Sequence, residues 1–254
     1  MSWQGFDKAP AISKTTAQNM WTGTPFYWYG FYLGGPCYLS GDRDSNNRAI
    51  SFTASLHSEY KNIGYNLAYI YVGRQDQPYP CNAPTTSNAT TLGEQDAQQA
   101  AQFASEIGAP ALSVIYLDVE GGNLHTTAMV DYVKAWVSYI NRATAYWAGI
   151  YCSAGSNGSV AQQLYDAVGG RANMWVAQYQ CSPGKSYNTS SNYCFTTSCT
   201  NTASINNLNL DNTSFSGAYM RQYAGDVYVK YNGECLAVDL NVSRDIDPNK
   251  KQFV

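Results

Sequence analysis

The sequence predicts an α/β barrel of the TIM type, modified so that five βα units are followed by three strands without full helices between them. Short apolar runs alternate with stretches that have apolar residues at helical spacing, which indicates parallel strands covered by helices. The apolar runs number eight, enough to close a barrel. A chain of 254 residues is an ordinary size for such a barrel, so we expect one domain over residues 1–254.

The predicted strands are apolar or alternating runs, several of which end in Gly, Asp or Asn. They cover residues 4–7, 29–33, 67–72, 113–120, 148–151, 174–178, 218–222 and 236–240. The predicted helices follow the first five strands, at residues 13–21, 44–62, 93–107, 126–145 and 157–168. Thr126 and Thr127 before the fourth helix and Gly108 after the third are suitable helix caps.

The last third of the chain departs from this alternation. Residues 181–217 are rich in Ser, Asn and Thr with little periodicity, so we expect a long loop there. Residues 227–231 and 234–238 flank Asn232-Gly233, and Asn-Gly is the preferred two-residue hairpin turn. A β-hairpin is therefore predicted near the end of the chain.

Composition excludes several classes of function. Charged residues make up 13% of the chain and the net charge is −3, so a nucleic-acid partner, which requires a basic surface, is not expected. No apolar run approaches the roughly 20 residues that a membrane helix needs. Two histidines without paired Cys-x-x-Cys spacing predict no metal site, and the absence of a glycine-rich phosphate loop predicts no cofactor.

The cysteines indicate an oxidising compartment. They are Cys37, Cys81, Cys152, Cys181, Cys194, Cys199 and Cys235. Cys37 and Cys81 follow neighbouring strands and are a plausible disulfide, the last four offer two more, and Cys152 is the candidate free thiol because it ends a buried strand. We therefore expect an extracellular or cell-envelope protein, although no export leader is visible at the start of the sequence.

Two carboxylates end the fourth predicted strand. Side chains alternate across a strand, so Asp118 and Glu120 point to the same side. Two acids that face one way resist ionising together, which raises the pKa of one of them, as a general acid requires. The alternative is a strand that runs into solvent with both acids hydrated.

Two more acids end other predicted strands. Asp7 ends the first strand and Asp239 the eighth, and these strands are neighbours in a closed barrel. If their carboxyl ends meet at the face where barrel enzymes hold their sites, both acids join Asp118 and Glu120 in one pocket.

At these residues the sequence resembles a known family. Four segments, taken in their order along the chain, resemble glycoside hydrolase family 25, whose members are lysozymes of the N-acetylmuramidase type. They are Gly5-Phe6-Asp7, the stretch 115–120, Arg221-Gln222-Tyr223 and the stretch 237–241. Stretches 32–35, 70–75 and 150–153 are closer to the bacterial glycoside hydrolase-like domains related to that family. The resemblance covers nearly the whole chain.

The resemblance implies a role for each acid. Glu120 matches the general acid, Asp118 the carboxylate that assists positive charge at the sugar, and Asp7 and Asp239 the acids that line the cleft. The implied function is that of a retaining hydrolase of an amino-sugar glycan, with peptidoglycan as the first candidate. The configuration is retained through an enzyme nucleophile or through the substrate's own N-acetyl group. The alternative is an inactive barrel that binds cell-wall or other glycan.

Several residues near the strand ends are candidates for binding a polysaccharide. They are Tyr32, Tyr71, Tyr151, Gln178 and Gln222. Aromatic rings at a barrel mouth stack on sugar rings, although most tyrosines on strands fill the barrel. His57 is predicted to be a surface or packing residue, while His125 either begins a helix or borders the cleft. We expect a monomer whose only partner is the polysaccharide.

Overall fold

The computed structural model describes residues 2–76, 81–179, 210, 213–232 and 234–252, which form a closed eight-stranded barrel with strands in sequence order. The strands are β1 Trp3–Asp7, β2 Trp28–Gly34, β3 Asn66–Val72, β4 Val114–Val119, β5 Trp147–Ser153, β6 Asn173–Ala177, β7 Ala218–Tyr231 and β8 Glu234–Ser243. β1 to β7 are parallel, and β8 is antiparallel to both its neighbours. The predicted fold class is confirmed.

Within the described residues, one α-helix follows each of the first five strands. They are α1 Lys14–Gly23, α2 Ala54–Ile63, α3 Ala89–Glu106, α4 Thr127–Ala143 and α5 Ser159–Ala167. The predicted helix at 44–62 is wrong in its first half, because the helix begins only after Thr53, whose side chain caps the backbone N–H of Leu56. Thr126 caps α4 as predicted.

The barrel interior is filled by aromatic rings that occupy space left by glycines. A Cβ on Gly5 would lie 2.1 Å from the Trp28 ring, and one on Gly149 would lie 2.3 Å from the Tyr116 ring. The interior cluster consists of Trp28, Ala68, Ile70, Val114, Tyr116, Tyr151, Trp175, Tyr219 and Met220. A larger cluster lies between the barrel and its helices.

The segment after β8 closes the end of the barrel where β1 to β7 begin. The hydroxyl of Tyr116 donates to the carbonyl oxygen of Pro248 at 2.5 Å, and that of Tyr219 to the carbonyl oxygen of Asp247 at 2.9 Å. The side-chain amide of Asn173 donates to the carbonyl oxygen of Lys250 at 2.9 Å. The opposite end of the barrel, where β1 to β6 finish, is therefore the end that a ligand can approach.

The predicted hairpin forms, but it is longer than predicted. β7 continues from Ala218 to Tyr231 as one strand interrupted by two irregularities, and its final residues pair with the first residues of β8. The end of the hairpin lies against the end of α1, since a Cβ on Gly23 would be 3.3 Å from Cβ of Tyr231. The hairpin therefore packs beside α1.

The disulfide Cys37–Cys81 is present, and Cys152 is a buried free thiol, as predicted. Cys181, Cys194, Cys199 and the side chain of Cys235 lie outside the described residues, as does most of the predicted loop at 181–217. None of the described helices has the length and apolar character to cross a membrane.

Candidate functional site

Asp7 and Asp239 lie directly opposite each other in adjacent strands. The expectation that both acids end their strands in the same direction is wrong for Asp239. Because β8 is antiparallel to β1, its carboxyl end pairs with Trp3 at the far end of the barrel, and Asp239 lies in the middle of the strand. The two acids reach the same end of the barrel through cross-strand pairing.

Asp7 is buried and accepts hydrogen bonds from three side chains. The Tyr32 hydroxyl donates to Oδ1 at 3.1 Å, and the amides of Gln222 and Asn241 donate to Oδ2 at 3.0 and 2.7 Å. Burial, and then the charge of Asp239, nevertheless raise the pKa of Asp7 to about 8. Asp7 thus holds a proton near neutral pH inside a fully formed hydrogen-bond network.

Asp118 is a buried acid near the end of β4. Its side chain is 3% exposed, and Oδ1 has no hydrogen-bond partner among the described residues. Burial raises its pKa well above the ordinary value, and the charges of Glu120 and Asp7 raise it further. A buried acceptor without a partner is costly, so this oxygen is suited to a donor from a ligand.

Glu120 follows β4 and is exposed at the mouth of the barrel. Its backbone N–H donates to Oε1 of Gln75 at 2.7 Å. Desolvation by the cleft walls raises its pKa. Asp118 is buried whereas Glu120 is exposed, and the charge of Glu120 adds to the effect of burial on the pKa of Asp118.

Asp239 is partly exposed, and its Oδ1 accepts the backbone N–H of Asp226 at 2.6 Å. Burial raises its pKa to about 6, opposed by that hydrogen bond and by the charge of Lys8. The pKa values of all four acids are therefore raised, and the charges of Asp7, Asp118, Glu120 and Asp239 act on one another. The structure places these predicted acids together.

Two cavities meet at Glu120. The larger, of about 520 Å³, is lined by Glu120, Gly121, Gly122, Tyr151, Ser153, Ala154, Gly155, Ser156, Ala177, Gln178 and Tyr179. The smaller, of about 360 Å³, is lined by Ala9, Tyr32, Cys37, Tyr38, Leu39, Val72, Gln75, Asp118, Glu120 and Asp239. A chain-like ligand that occupied both cavities would pass over the Glu120 carboxyl group.

Four of the five predicted binding residues lie at this site. Tyr32 lines the smaller cavity, Tyr151 and Gln178 line the larger, and buried Gln222 joins Tyr151 to Asp7 by accepting the Tyr151 hydroxyl at 2.8 Å. Tyr71 lies elsewhere. Its hydroxyl donates to Gln99 of α3 at 2.7 Å, because alternation along β3 turns this ring to the outside of the barrel.

Sequence reasoning missed several residues of the site. Asn241 holds Asp7, and the Trp175 indole N–H in turn donates to Asn241 at 2.9 Å. The alternation of Asp239 and Asn241 along β8 is a signal that could have assigned Asn241 to the acid pocket. Gln75 lies in the stretch 70–75 that carries the resemblance, but nothing in the sequence assigned it a role, because it bonds the backbone at the end of another strand.

Neither histidine lines the two cavities. His57 packs in the core, and its Nε2 lies 3.0 Å from the Tyr69 hydroxyl, as expected for a packing residue. His125 precedes α4, and its Nδ1 lies 2.7 Å from Oδ2 of Asp76. No cluster of potential metal ligands occurs within the described part of the chain.

The fold, with carboxylates gathered at the open end of a closed barrel, and the family comparison together define a glycoside hydrolase-like domain. The family model described as "Rv2525c-like, glycoside hydrolase-like domain" matches residues 29–243. The chain belongs to this family. A comparison with curated protein sequences gives no match.

Solved structures share the fold at low sequence identity. GHIP, a glycosyl hydrolase 25 of Streptococcus pneumoniae, is 13% identical with a TM-score of 0.59, over 97% of this chain and 90% of that one. The Mycobacterium tuberculosis Tat-secreted protein Rv2525c, in complex with L-tartrate, is 14% identical with a TM-score of 0.57, over 96% of both chains. The modular autolysin LytC of S. pneumoniae, in complex with a synthetic peptidoglycan ligand, is 15% identical with a TM-score of 0.54, over 95% of this chain and 46% of that one.

Proposed function

We propose that the protein is a retaining glycosidase that cleaves an amino-sugar glycan, with peptidoglycan as the first candidate. The observation that carries the proposal is the position of Glu120 on the wall shared by the two cavities, above the buried acids Asp7 and Asp118. A glycan that spans both cavities presents a glycosidic bond to this carboxyl group.

The chemistry assigns separate tasks to Asp118 of β4 and to Glu120, which follows β4. Glu120 donates its proton to the leaving glycosidic oxygen as the bond from that oxygen to the anomeric carbon breaks. Asp118 faces the sugar that develops positive charge, either as the nucleophile or by accepting the N–H of an acetamido group whose oxygen attacks the anomeric carbon. Glu120 then removes a proton from the water that releases the product, with configuration retained.

The proposed polymer and the proposed location of the protein rest on its relatives and on its disulfide. The autolysin LytC forms a complex with a synthetic peptidoglycan ligand, and the mycobacterial relative is a Tat-secreted protein. The disulfide Cys37–Cys81 is typical of an oxidising compartment. We therefore propose one glycoside hydrolase-like domain over residues 1–254 that acts as a monomer outside the cell or in its envelope.

A second candidate is a barrel that binds glycan without cutting it. It is favoured by the state of Asp7, whose carboxyl group is occupied by three donors and closed off from any ligand. The binding-only protein would use the same two cavities and would show no release of reducing ends.

Comparison of wild type with Glu120→Gln separates the two candidates. The variant keeps the shape and hydrogen-bonding capacity of the side chain but delivers no proton, so release of reducing ends from purified peptidoglycan should fall about 10²–10⁴-fold. Binding to the same glycan, measured by sedimentation, should be unchanged. Glu59→Gln, an acid of α2 paired with Lys14 on the surface, is the matched control and should keep full activity.

Two results would contradict the proposal, the first for the role of Glu120 and the second for the glycosidase activity. Equal release by wild type and Glu120→Gln would remove Glu120 as the acid. Binding without release by wild type, across a panel of amino-sugar glycans, would establish the binding-only protein instead. The anomeric configuration of the first product, read by NMR, tests retention separately.

A further inference from the structure

Gln75 joins the loop after β3 to the backbone on both sides of Val119. Its Oε1 accepts the N–H of Glu120 at 2.7 Å, and its Nε2 donates to the carbonyl oxygen of Asp118 at 3.1 Å. The carboxamide therefore replaces the strand-to-strand pairing that stops where β4 ends. It lies on the wall of the smaller cavity, beside both acids.

The next residue, Asp76, makes a second attachment to the same loop. Its Oδ2 lies 2.7 Å from Nδ1 of His125, and its Oδ1 accepts the hydroxyl of Thr126 at 2.6 Å. The residues between the two attachments, 120–124, are all exposed. Glu120 is thus the first residue of an exposed loop, and the Gln75 contact holds its backbone in register with β4.

Arg74, the residue before Gln75, fixes the same loop to α3. Its guanidinium donates to Asp96 of α3 at 2.9 Å, and the Tyr132 hydroxyl donates to the same Asp96 oxygen at 2.9 Å. Asp96 is buried, and its carboxylate is stabilised by charge-assisted hydrogen bonds from Arg74 together with the bond from Tyr132. Consecutive residues 74–76 therefore connect α3, the end of β4 and the start of α4.

We propose that Gln75 is the positioning residue for Glu120, which sets the carboxyl group at the junction of the two cavities and on which the rate of glycosidic cleavage depends. The proposal rests on the proposed glycosidase function. It follows from the geometry because a side chain at the start of an exposed loop keeps its direction only if its own backbone is held. A displacement of about 1 Å at a reacting group costs about 10²-fold in rate.

Two substitutions and one control test the role. Gln75→Met has a similar length and removes both of these hydrogen bonds, together with the weaker one from Nε2 to the carbonyl oxygen of Gly73 at 3.3 Å. Gln75→Glu keeps the acceptor for the Glu120 N–H, loses the donor to Asp118 and adds a negative charge. Gln162→Met, at an exposed glutamine of α5 that bonds Asp166, is the matched control.

For Gln75→Met we expect kcat to fall about 10–100-fold with KM changed less than about 3-fold, because ground-state binding uses the rest of the cleft. Hydrogen exchange at the Glu120 amide should accelerate in the same variant. For Gln75→Glu the amide should stay protected, and the alkaline limb of the pH–rate profile should move to higher pH, because the added charge disfavours ionisation of Glu120. Gln162→Met should match wild type throughout.

Two outcomes separate the failure of this inference from failure of the proposed function. If wild type releases no reducing ends, the proposed glycosidase function is wrong. The positioning role of Gln75 is then tested by hydrogen exchange at the Glu120 amide and by an NMR titration of the Glu120 carboxyl group. A Gln75→Met protein that matches wild type in amide exchange and in the Glu120 titration overturns the role of Gln75. In an active enzyme, an unchanged kcat overturns it as well.

Discussion

At the scale of single residues, Asp7 combines full hydrogen bonding with a raised pKa. Three donors stabilise its ionised form, but burial and the facing charge of Asp239 outweigh them. The proton fits the network if it lies on Oδ1, where the Tyr32 hydroxyl can turn to accept it, while Oδ2 keeps the amides of Gln222 and Asn241. The open end of the barrel can therefore hold several acids without holding several charges.

This arrangement predicts that stability falls as pH rises. The pKa of Asp7 is 3.8 ordinarily and about 8 in the folded protein. Between these values the folded state binds more protons than the unfolded state, so the free energy of unfolding decreases from about pH 4 to pH 8 and then levels off. The raised pKa values of Asp118 and Asp239 act in the same direction.

Asp7→Asn should remove part of this dependence. The asparagine oxygen can accept the amides of Gln222 and Asn241, and its amide can donate to the Tyr32 oxygen, so the variant resembles protonated Asp7. Between pH 4.5 and 8.5 we expect the Tm of wild type to fall about 5–10 °C more than that of the variant. Asp131→Asn, at an exposed acid of α4, is the control. Parallel Tm curves for wild type and Asp7→Asn would show that Asp7 is ionised throughout.

At the scale of elements, the loops after β2 and β3 form one wall of the site. The disulfide Cys37–Cys81 joins them over a sequence separation of 44 residues, and Cys37 lines the smaller cavity. The β3 loop also carries Gln75, so the bridge fixes the same segment that holds Glu120. Cross-linking stabilises a fold mainly by restricting the unfolded chain.

Loss of this disulfide should lower stability by about 4 kcal/mol, the value expected for a loop of this length. The double variant Cys37→Ser/Cys81→Ser removes the bridge while it keeps side chains of similar size. Urea unfolding at neutral pH measures the difference from the oxidised wild type. Alkylation of Cys37 in unfolded, unreduced wild type, or an unchanged unfolding midpoint in the double variant, would contradict the prediction.

At the scale of the whole molecule, the two ends of the barrel have different roles. The end that carries the acids is open to two cavities, whereas the segment after β8 closes the other end. Tyr116 and Tyr219, both in the interior cluster, have their hydroxyl groups satisfied by backbone carbonyls of that segment. The closing segment therefore completes the barrel interior.

Deletion of residues 245–254 should destabilise the protein by at least about 3 kcal/mol. It leaves the hydroxyls of Tyr116 and Tyr219 and the amide of Asn173 without their acceptors, and each buried polar group without a partner costs about 1–3 kcal/mol. Lys250→Ala is the control: its carbonyl oxygen remains, so unfolding should change by less than about 0.5 kcal/mol. If the deletion and the control unfold alike in urea, the segment does not stabilise the barrel.

Much of the architecture was readable from the sequence because the signals are local. Alternating apolar residues placed every strand of the barrel, and helical spacing placed the helices after the first five. The exception at 44–62 arose because apolar positions before Thr53 continued the spacing by chance. Asp118 and Glu120 were assigned to one side for the same local reason, since their separation along the strand sets their direction.

What the sequence by itself determined is the set of elements, their order and the presence of acids at the ends of β1 and β4. Only the tertiary structure decided that the pKa values of these acids are raised, because burial and neighbouring charges depend on the closed barrel. It also decided that β8 runs against β1, so that Asp239 reaches Asp7 by pairing, and that Tyr71 faces a helix. Gln75 acts on the backbone of a strand more than forty residues away, and no pattern within its own segment records such a contact.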